Sequence, residues 1–188
     1  MQIEQIRDED EYGGLRVSLP ALLGRARISI KLDISTGDPI WPEPEQIELP
    51  SLLGGVVAMH GHPLVTVIAK KTITMLQRGT SSTRWRDLLD VAVLSDRFEL
   101  GAGDVREASM QVAAHRGVEL GSLRALMDGY SSMGQAKWAA WRRKLKVEDL
   151  CRQNLDEQVE LVLTFIEPVF DGSAQNQQRW NPDAGAWL

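Results

Sequence analysis

The sequence predicts an α+β protein, strands first and a helical bundle after, on three observations. Residues 26–36 alternate with a period of two, Ile28, Ile30, Leu32 and Ile34 against Ser29, Lys31, Asp33 and Ser35, the pattern of a strand with one buried and one polar face. From Val65 the period lengthens: Val65, Ile68, Ala69, Thr72 and Leu76 recur at spacings of three and four, as on one side of an amphipathic helix. Beyond residue 95 the chain is helical in character, each run punctuated by a Gly or a polar cap.

Taken in order, residues 1–12 are an acidic lead-in in which Asp8, Glu9, Asp10 and Glu11 form a solvated charge run. "LRVSLPALL" and "ARISIKLDIST" follow, parted by a turn at Gly24-Arg25, and read as a β-hairpin. "TGDPIWPEPEQIELPSLLG" is a Pro- and Gly-rich loop with one short extended piece at Gln46 to Leu49, and a further apolar segment runs from Val56 to Met59. The helix that begins at Val65 should end at Gly79, and "SSTRWRDLLDVAVL" restarts one with Ser81 or Ser82 as N-cap. Further helices are expected near 103–116, 120–130, 134–145 and 154–170. The last carries a broad stripe of Leu155, Val159, Val162, Leu163, Ile166 and Val169, and Trp180 and Trp187 tie down a polar tail. This divides the chain into an α/β portion, 1–95, and a helical domain, 96–188.

Bulk properties narrow the function classes. At 188 residues, 43% hydrophobic and 25% charged, the chain can bury a real core. No run of about 18 uncharged apolar residues exists, and the first residues are acidic where a signal peptide would be basic and then apolar, so a cytoplasmic protein with no membrane partner is expected. A single cysteine, Cys151, excludes an internal disulfide and a multi-Cys metal site. The net charge of −5 argues against holding nucleic acid by bulk electrostatics. One local basic face stands out: "AKWAAWRRKLKVEDL" interleaves Lys137, Arg142, Arg143, Lys144 and Lys146 with Trp138, Trp141 and Leu145.

Chemistry-bearing residues gather around the first two helices. Lys71 and Arg78 are seven apart and share one helix edge, where a phosphate could bridge them. Asp87 and Asp90 are three apart, so their Cβ atoms sit roughly 5–6 Å from each other on adjacent turns. Trp85, Leu88 and Ala92 make one apolar stripe of that helix and Val91 and Leu94 another. Asp87 therefore lies near buried surface and needs a cationic partner, either Arg84 or Lys71. Asp33 lies on the polar face of its strand between Lys31 and Ser35. His60 and His62 have zinc-ligand spacing but no third ligand close in sequence, and His115 reads as a surface residue near a helix end.

A strand "IKLDIS", a Gly-Asp-Pro loop, "LPSLLG", then "PLVTVIAKKTITMLQRGTSSTRWRDLLDV" and a helical bundle: this order resembles the AbiEii/AbiGii nucleotidyltransferase toxins, the toxin halves of bacterial toxin–antitoxin and phage-defence pairs. The resemblance runs from about Gly14 to the C-terminus and is most specific over Leu64 to Leu94. There Lys71 and "RWRD" stand at the family's lysine and its Arg-x-Lys-Asp-type helix start, while Lys70 replaces the usual Glu. The resemblance implies a partial nucleotidyltransferase-like β-sheet followed by a C-terminal helical bundle. It implies catalytic roles for Asp33, Lys71 and Asp87, nucleotide contacts from Lys71, Arg78 and Arg84, and Mg²⁺ held by Asp33 and by the triphosphate of a bound NTP. The reaction implied is transfer of a nucleoside monophosphate to an acceptor such as the 3′ end of tRNA, the basic 137–146 helix meeting its backbone and an antitoxin controlling the protein. The family's Gly-Ser turn and Asp-x-Asp strand are not found ahead of Asp33, so the chain is expected to correspond to the family's C-terminal two-thirds. A second reading is a non-catalytic remnant or subunit that binds an antitoxin or partner chain through exposed strand edges, with a homo-oligomer as one consequence.

Overall fold

A computed structural model describes residues 1–6, 14–35, 37–81 and 83–188. The acidic run Asp8 to Glu11 lies outside them. The chain forms two compact units, Met1–Asp38 and Pro39–Leu188.

The first unit is an antiparallel sheet of β1 (Gln2–Ile6), β2 (Gly14–Leu23) and β3 (Ala26–Ser35), in that order. Gly24 adopts φ 60, which a two-residue hairpin turn favours. With Leu23 opposite Ala26, every later pair follows, Arg16 opposite Asp33 among them. Pro20 falls where β2 has only one neighbour, because β1 reaches no further than Ser18, so its missing N–H is tolerated. Ile28, Ile30, Leu32 and Ile34 face the same way as their partners Ala21, Leu19, Val17 and Leu15. The expected burial of this face is not found: those four side chains belong to residues 50%, 45%, 47% and 48% exposed. A three-stranded sheet is a single layer, and its own strands bring nothing to lie over the apolar side.

The second unit opens with a β-arm, β4 (Glu45–Pro50) paired to β5 (Val56–Gly61). Gly54 and Gly55, both at positive φ, close its turn, and Leu52 and Leu53 at the tip are fully exposed. There follow α1 (Leu64–Arg78), α2 (Trp85–Arg97), β6 (Leu100–Gly101), α3 (Ala102–His115), α4 (Leu123–Leu126), α5 (Tyr130–Leu145), α6 (Leu155–Phe170), β7 (Arg179–Asn181) and β8 (Ala186–Trp187).

α1 buries the face read from its period, Val65, Ile68, Ala69 and Thr72, and ends at Gly79 with φ 51. It packs on α3 and α2, and α6 packs on α2, α5 and α3. The stripe of α6 is buried throughout, with Phe165 and Gln158 added to it. Residues such as Ile68, Ile73, Val91, Phe165 and Ile166 are 0% exposed, each worth about 1.5–3 kcal/mol of transfer free energy. The two tail tryptophans anchor as expected: Trp180 Nε1 donates to the Ser95 carbonyl at 2.7 Å and Trp187 Nε1 to the Phe165 carbonyl at 2.8 Å.

Two helix boundaries differ from expectation. The run 120–130 is helical only over α4, because Ser122 caps it by accepting from the Ala125 amide, and Gly129 at φ 71 breaks the chain before α5 starts at Tyr130. α2 begins after Arg84 with no side-chain cap. Ser81 ends a short 3-10 turn, and Ser82 lies outside the described residues.

Candidate functional site

α1 and α2 carry the candidate cluster. Burial of Trp85 in the first turn of α2 fixes where that helix starts, and the three-residue spacing then sets Asp87 and Asp90 on the side turned to α1. Lys71 of α1 reaches across to both. Its Nζ donates to Asp87 Oδ1 at 3.0 Å and to Asp90 Oδ2 at 2.6 Å. The other Asp87 oxygen meets Arg84 Nε at 3.2 Å. Asp87 is the buried member, its side chain 11% exposed against 38% for Asp90. Two cations face two carboxylates, which offsets part of the desolvation cost of placing them near the core.

This arrangement does two things. It clamps α1 to α2 through one ammonium. It also holds that ammonium still, 20% exposed, with one of its three donors left over after the two aspartates. Arg78 sits two turns along at the exposed C-terminal end of α1.

Asp33 belongs to the first unit. Arg16 across the hairpin grips it with both arms of the guanidinium, Nε to Oδ1 at 2.7 Å and Nη2 to Oδ2 at 2.8 Å. Glu4 stands 3.9 Å from the remaining nitrogen. The hydrogen bond to Asp33, with the Coulombic pull of the same carboxylate, raises the Arg16 pKa above its ordinary value. Reading the sequence missed Arg16. The signal was available, since a turn at Gly24-Arg25 alone dictates that residue 16 opposes residue 33.

Among the described residues no group of three or more His, Cys, Asp or Glu could hold a metal ion. Both Asp33 oxygens accept from Arg16, and those of Asp87 face Lys71 and Arg84. A cavity of about 480 Å³ between α2, α6 and residues 182–185 is lined by none of Asp33, Lys71 or Asp87.

The basic segment is sorted by α5 into two faces. Arg142 turns inward, its Nη2 donating to the Glu148 and Cys151 carbonyls and its Nε to Cys151 Sγ. Trp138, 0% exposed, stacks on Trp141 at 5.2 Å and 17°, and Trp85 meets both edge-on. The interleaved aromatics are core and seam.

Small antiparallel sheets followed by a helical bundle agree with the α+β fold that the resemblance implies. Residues 1–161 match the family model of the nucleotidyl transferase AbiEii toxin, type IV toxin–antitoxin system, and the chain belongs to that family. The match takes in every candidate named above, Asp33, Lys71, Arg78, Arg84, Asp87 and Asp90, and all of α5. Searches of curated proteins and of solved structures returned no match. Membership makes the chain a nucleotidyltransferase-like toxin of a type IV system and implies an antitoxin partner. No helix among the described residues is long and apolar enough to cross a membrane.

Proposed function

We propose that this protein takes part in transfer of a nucleoside monophosphate from an NTP to an acceptor such as the 3′ end of tRNA. Its setting is the bacterial cytoplasm, in toxin–antitoxin control or phage defence. Residues 1–95 supply the nucleotide contacts and 96–188 the supporting helical domain. The observation that carries the reading is the held ammonium of Lys71. A triphosphate oxygen takes its unused N–H first and then displaces Asp90, the more exposed of its two partners, while Asp87 stays in place and keeps the lysine aimed. Arg84 and Arg78 flank the same edge. Asp33 is the carboxylate carried by β3, positioned by Arg16. Mg²⁺ would enter with the NTP, held by its triphosphate, since no group of three or more His, Cys, Asp or Glu among the described residues forms a cage for it.

The test is calorimetric titration with each Mg²⁺-NTP, on the wild type and on Lys71→Ala and Asp33→Ala. Saturable binding lost in Lys71→Ala is the expected result. Absence of binding to any NTP sinks the proposal.

The uncovered apolar face of the β1–β3 sheet favours a second reading, a subunit that binds an antitoxin or partner chain. Contiguous exposed Leu15, Ile30, Leu32 and Ile34 make an association surface. Under that reading Ile30→Lys abolishes antitoxin binding in a pull-down while leaving NTP titrations unchanged, and light scattering shows whether a second copy occupies the face instead.

A further inference from the structure

We infer that two copies of this chain associate by reciprocal exchange of the β4–β5 arm, each arm covering the apolar face of the other copy's β1–β3 sheet. The inference is independent of the transferase reading. It rests on the same uncovered face as the second reading, to which it assigns an occupant. Ile28, Ile30, Leu32 and Ile34 line that face, Leu15 stands opposite Ile34, and Ile3 of β1 joins them opposite Val17. Ile3 is 58% exposed, more than any of the four on β3. The face lacks the second layer that an apolar sheet surface requires.

The arm lacks a second layer too. Ile47 is paired with Met59 and Leu49 with Val57, and directly paired residues share a face, so one side of the arm is an apolar ribbon. The other side carries Gln46, Glu48 and His60 and suits water. Leu49, Val57 and Met59 are 46%, 54% and 47% exposed, and Leu52 and Leu53 continue the apolar surface past the strand ends. A two-stranded hairpin is marginal in water on its own. Laid on a three-stranded sheet about 10 Å away, it completes a sandwich.

Charge and area select this occupant. Residues 39–69 contain Glu43, Glu45 and Glu48 and no Lys or Arg, whereas residues 17–32 contain Arg25, Arg27 and Lys31 and no acid. Opposite signs favour arm against sheet and disfavour arm against arm. The acidic arm is also ill suited to an anionic lipid surface. At roughly 180 Å² for a fully exposed Leu or Ile, each apolar face offers about 600 Å², so two arm–sheet contacts bury about 2,400 Å², the size of a stable homodimer interface. Two sheets packed face to face bury about half as much and leave both arms bare. Because each chain carries one arm and one sheet, a two-fold axis satisfies both contacts and closes the assembly as a dimer.

The experiment is sedimentation velocity of the full chain from about 1 to about 100 μM, on the wild type and two variants. Leu52→Asp with Leu53→Asp disables the arm at fully exposed positions, so its result stands whatever Ile30→Lys does to the sheet. Ile30→Lys disables the sheet face, and urea unfolding checks that both variants fold. Expected are a wild-type species of twice the 20.9 kDa chain mass and monomers for each variant alone. Mixing the two variants restores a dimer, since one intact arm then meets one intact sheet. A monomeric wild type overturns the inference. So does an arm variant that still dimerises, which points to sheets packed face to face, and so does a mixture that stays monomeric. The two readings of this face fail separately. Wild-type dimers with antitoxin capture unaffected by Ile30→Lys remove the second reading alone, whereas a monomeric wild type whose antitoxin capture is lost in Ile30→Lys removes the exchange alone.

Discussion

Asp87 and Asp90 look alike in the sequence and differ in the fold. Both accept from Lys71, but Asp87 is nearly buried and also holds Arg84. Asp87→Ala removes the charge that neutralises two cations beside the α1–α2 seam, and it should cost about 3–5 kcal/mol, as breaking a buried pair does. Asp90→Ala removes a partner that water can replace and should cost about 1 kcal/mol or less. Urea unfolding of both variants measures the contrast, and equal costs would refute the assignment of Asp87 as the anchor. At this scale the sequence was informative where burial could be inferred. Apolar stripes on more than one side of α2 already required that Asp87 find a cation, and Lys71 and Arg84 were the two in reach. It was uninformative where contact depends on how two helices pack, which is why the grip of Asp90 on Lys71 could not be foreseen.

Between elements, small residues and single ion pairs fix the packing. A Cβ on Gly134 of α5 would lie 2.8 Å from Leu155 Cδ2, and Leu155 is 0% exposed. Gly134→Ala gains about 1 kcal/mol of helix propensity, yet overpacking costs about 1–3 kcal/mol. Net destabilisation near 1 kcal/mol is expected in thermal or urea unfolding. Arg124 of α4 holds Glu160 of α6 through two hydrogen bonds at 2.8 and 2.7 Å, and these bonds set the Glu160 pKa below its ordinary 4.5. A carboxylate depressed in the folded state stabilises it above the unfolded pKa and loses that contribution as pH falls through the folded value. Both side chains are about half exposed, so Glu160→Gln should cost only about 0.2–1 kcal/mol near neutral pH. The difference from wild type should shrink as pH falls below the ordinary carboxylate range. Element positions were legible from periodicity: α1, α3 and α6 start and stop within a residue or two of expectation. α4 was not, because the apolar residues of 120–130 promise a helix while the Ser122 cap and the left-handed Gly129 divide it.

For the whole molecule, the order of strand, loop, paired helices and bundle was legible, and membership of the AbiEii family follows the same order. Layering was not. Period-two alternation on β3 states that one face is apolar; it does not state what covers it, and the first unit leaves it open. The helical unit, in contrast, closes its core around two groups of aromatic rings, Trp85, Trp138 and Trp141 in one and Phe165, Trp180 and Trp187 in the other. The first group has an optical consequence. Trp85 of α2 meets Trp138 and Trp141 of α5 edge-on at 6.3 and 6.1 Å, close enough for the indoles to share their excitation, so the seam between α2 and α5 should announce itself as an exciton couplet in far-ultraviolet circular dichroism. Trp85→Phe should remove the cross-seam part of that couplet while the helical signal at longer wavelength remains. The protein then carries an unlabelled gauge of whether α5 is seated, readable during any titration that touches its outer face.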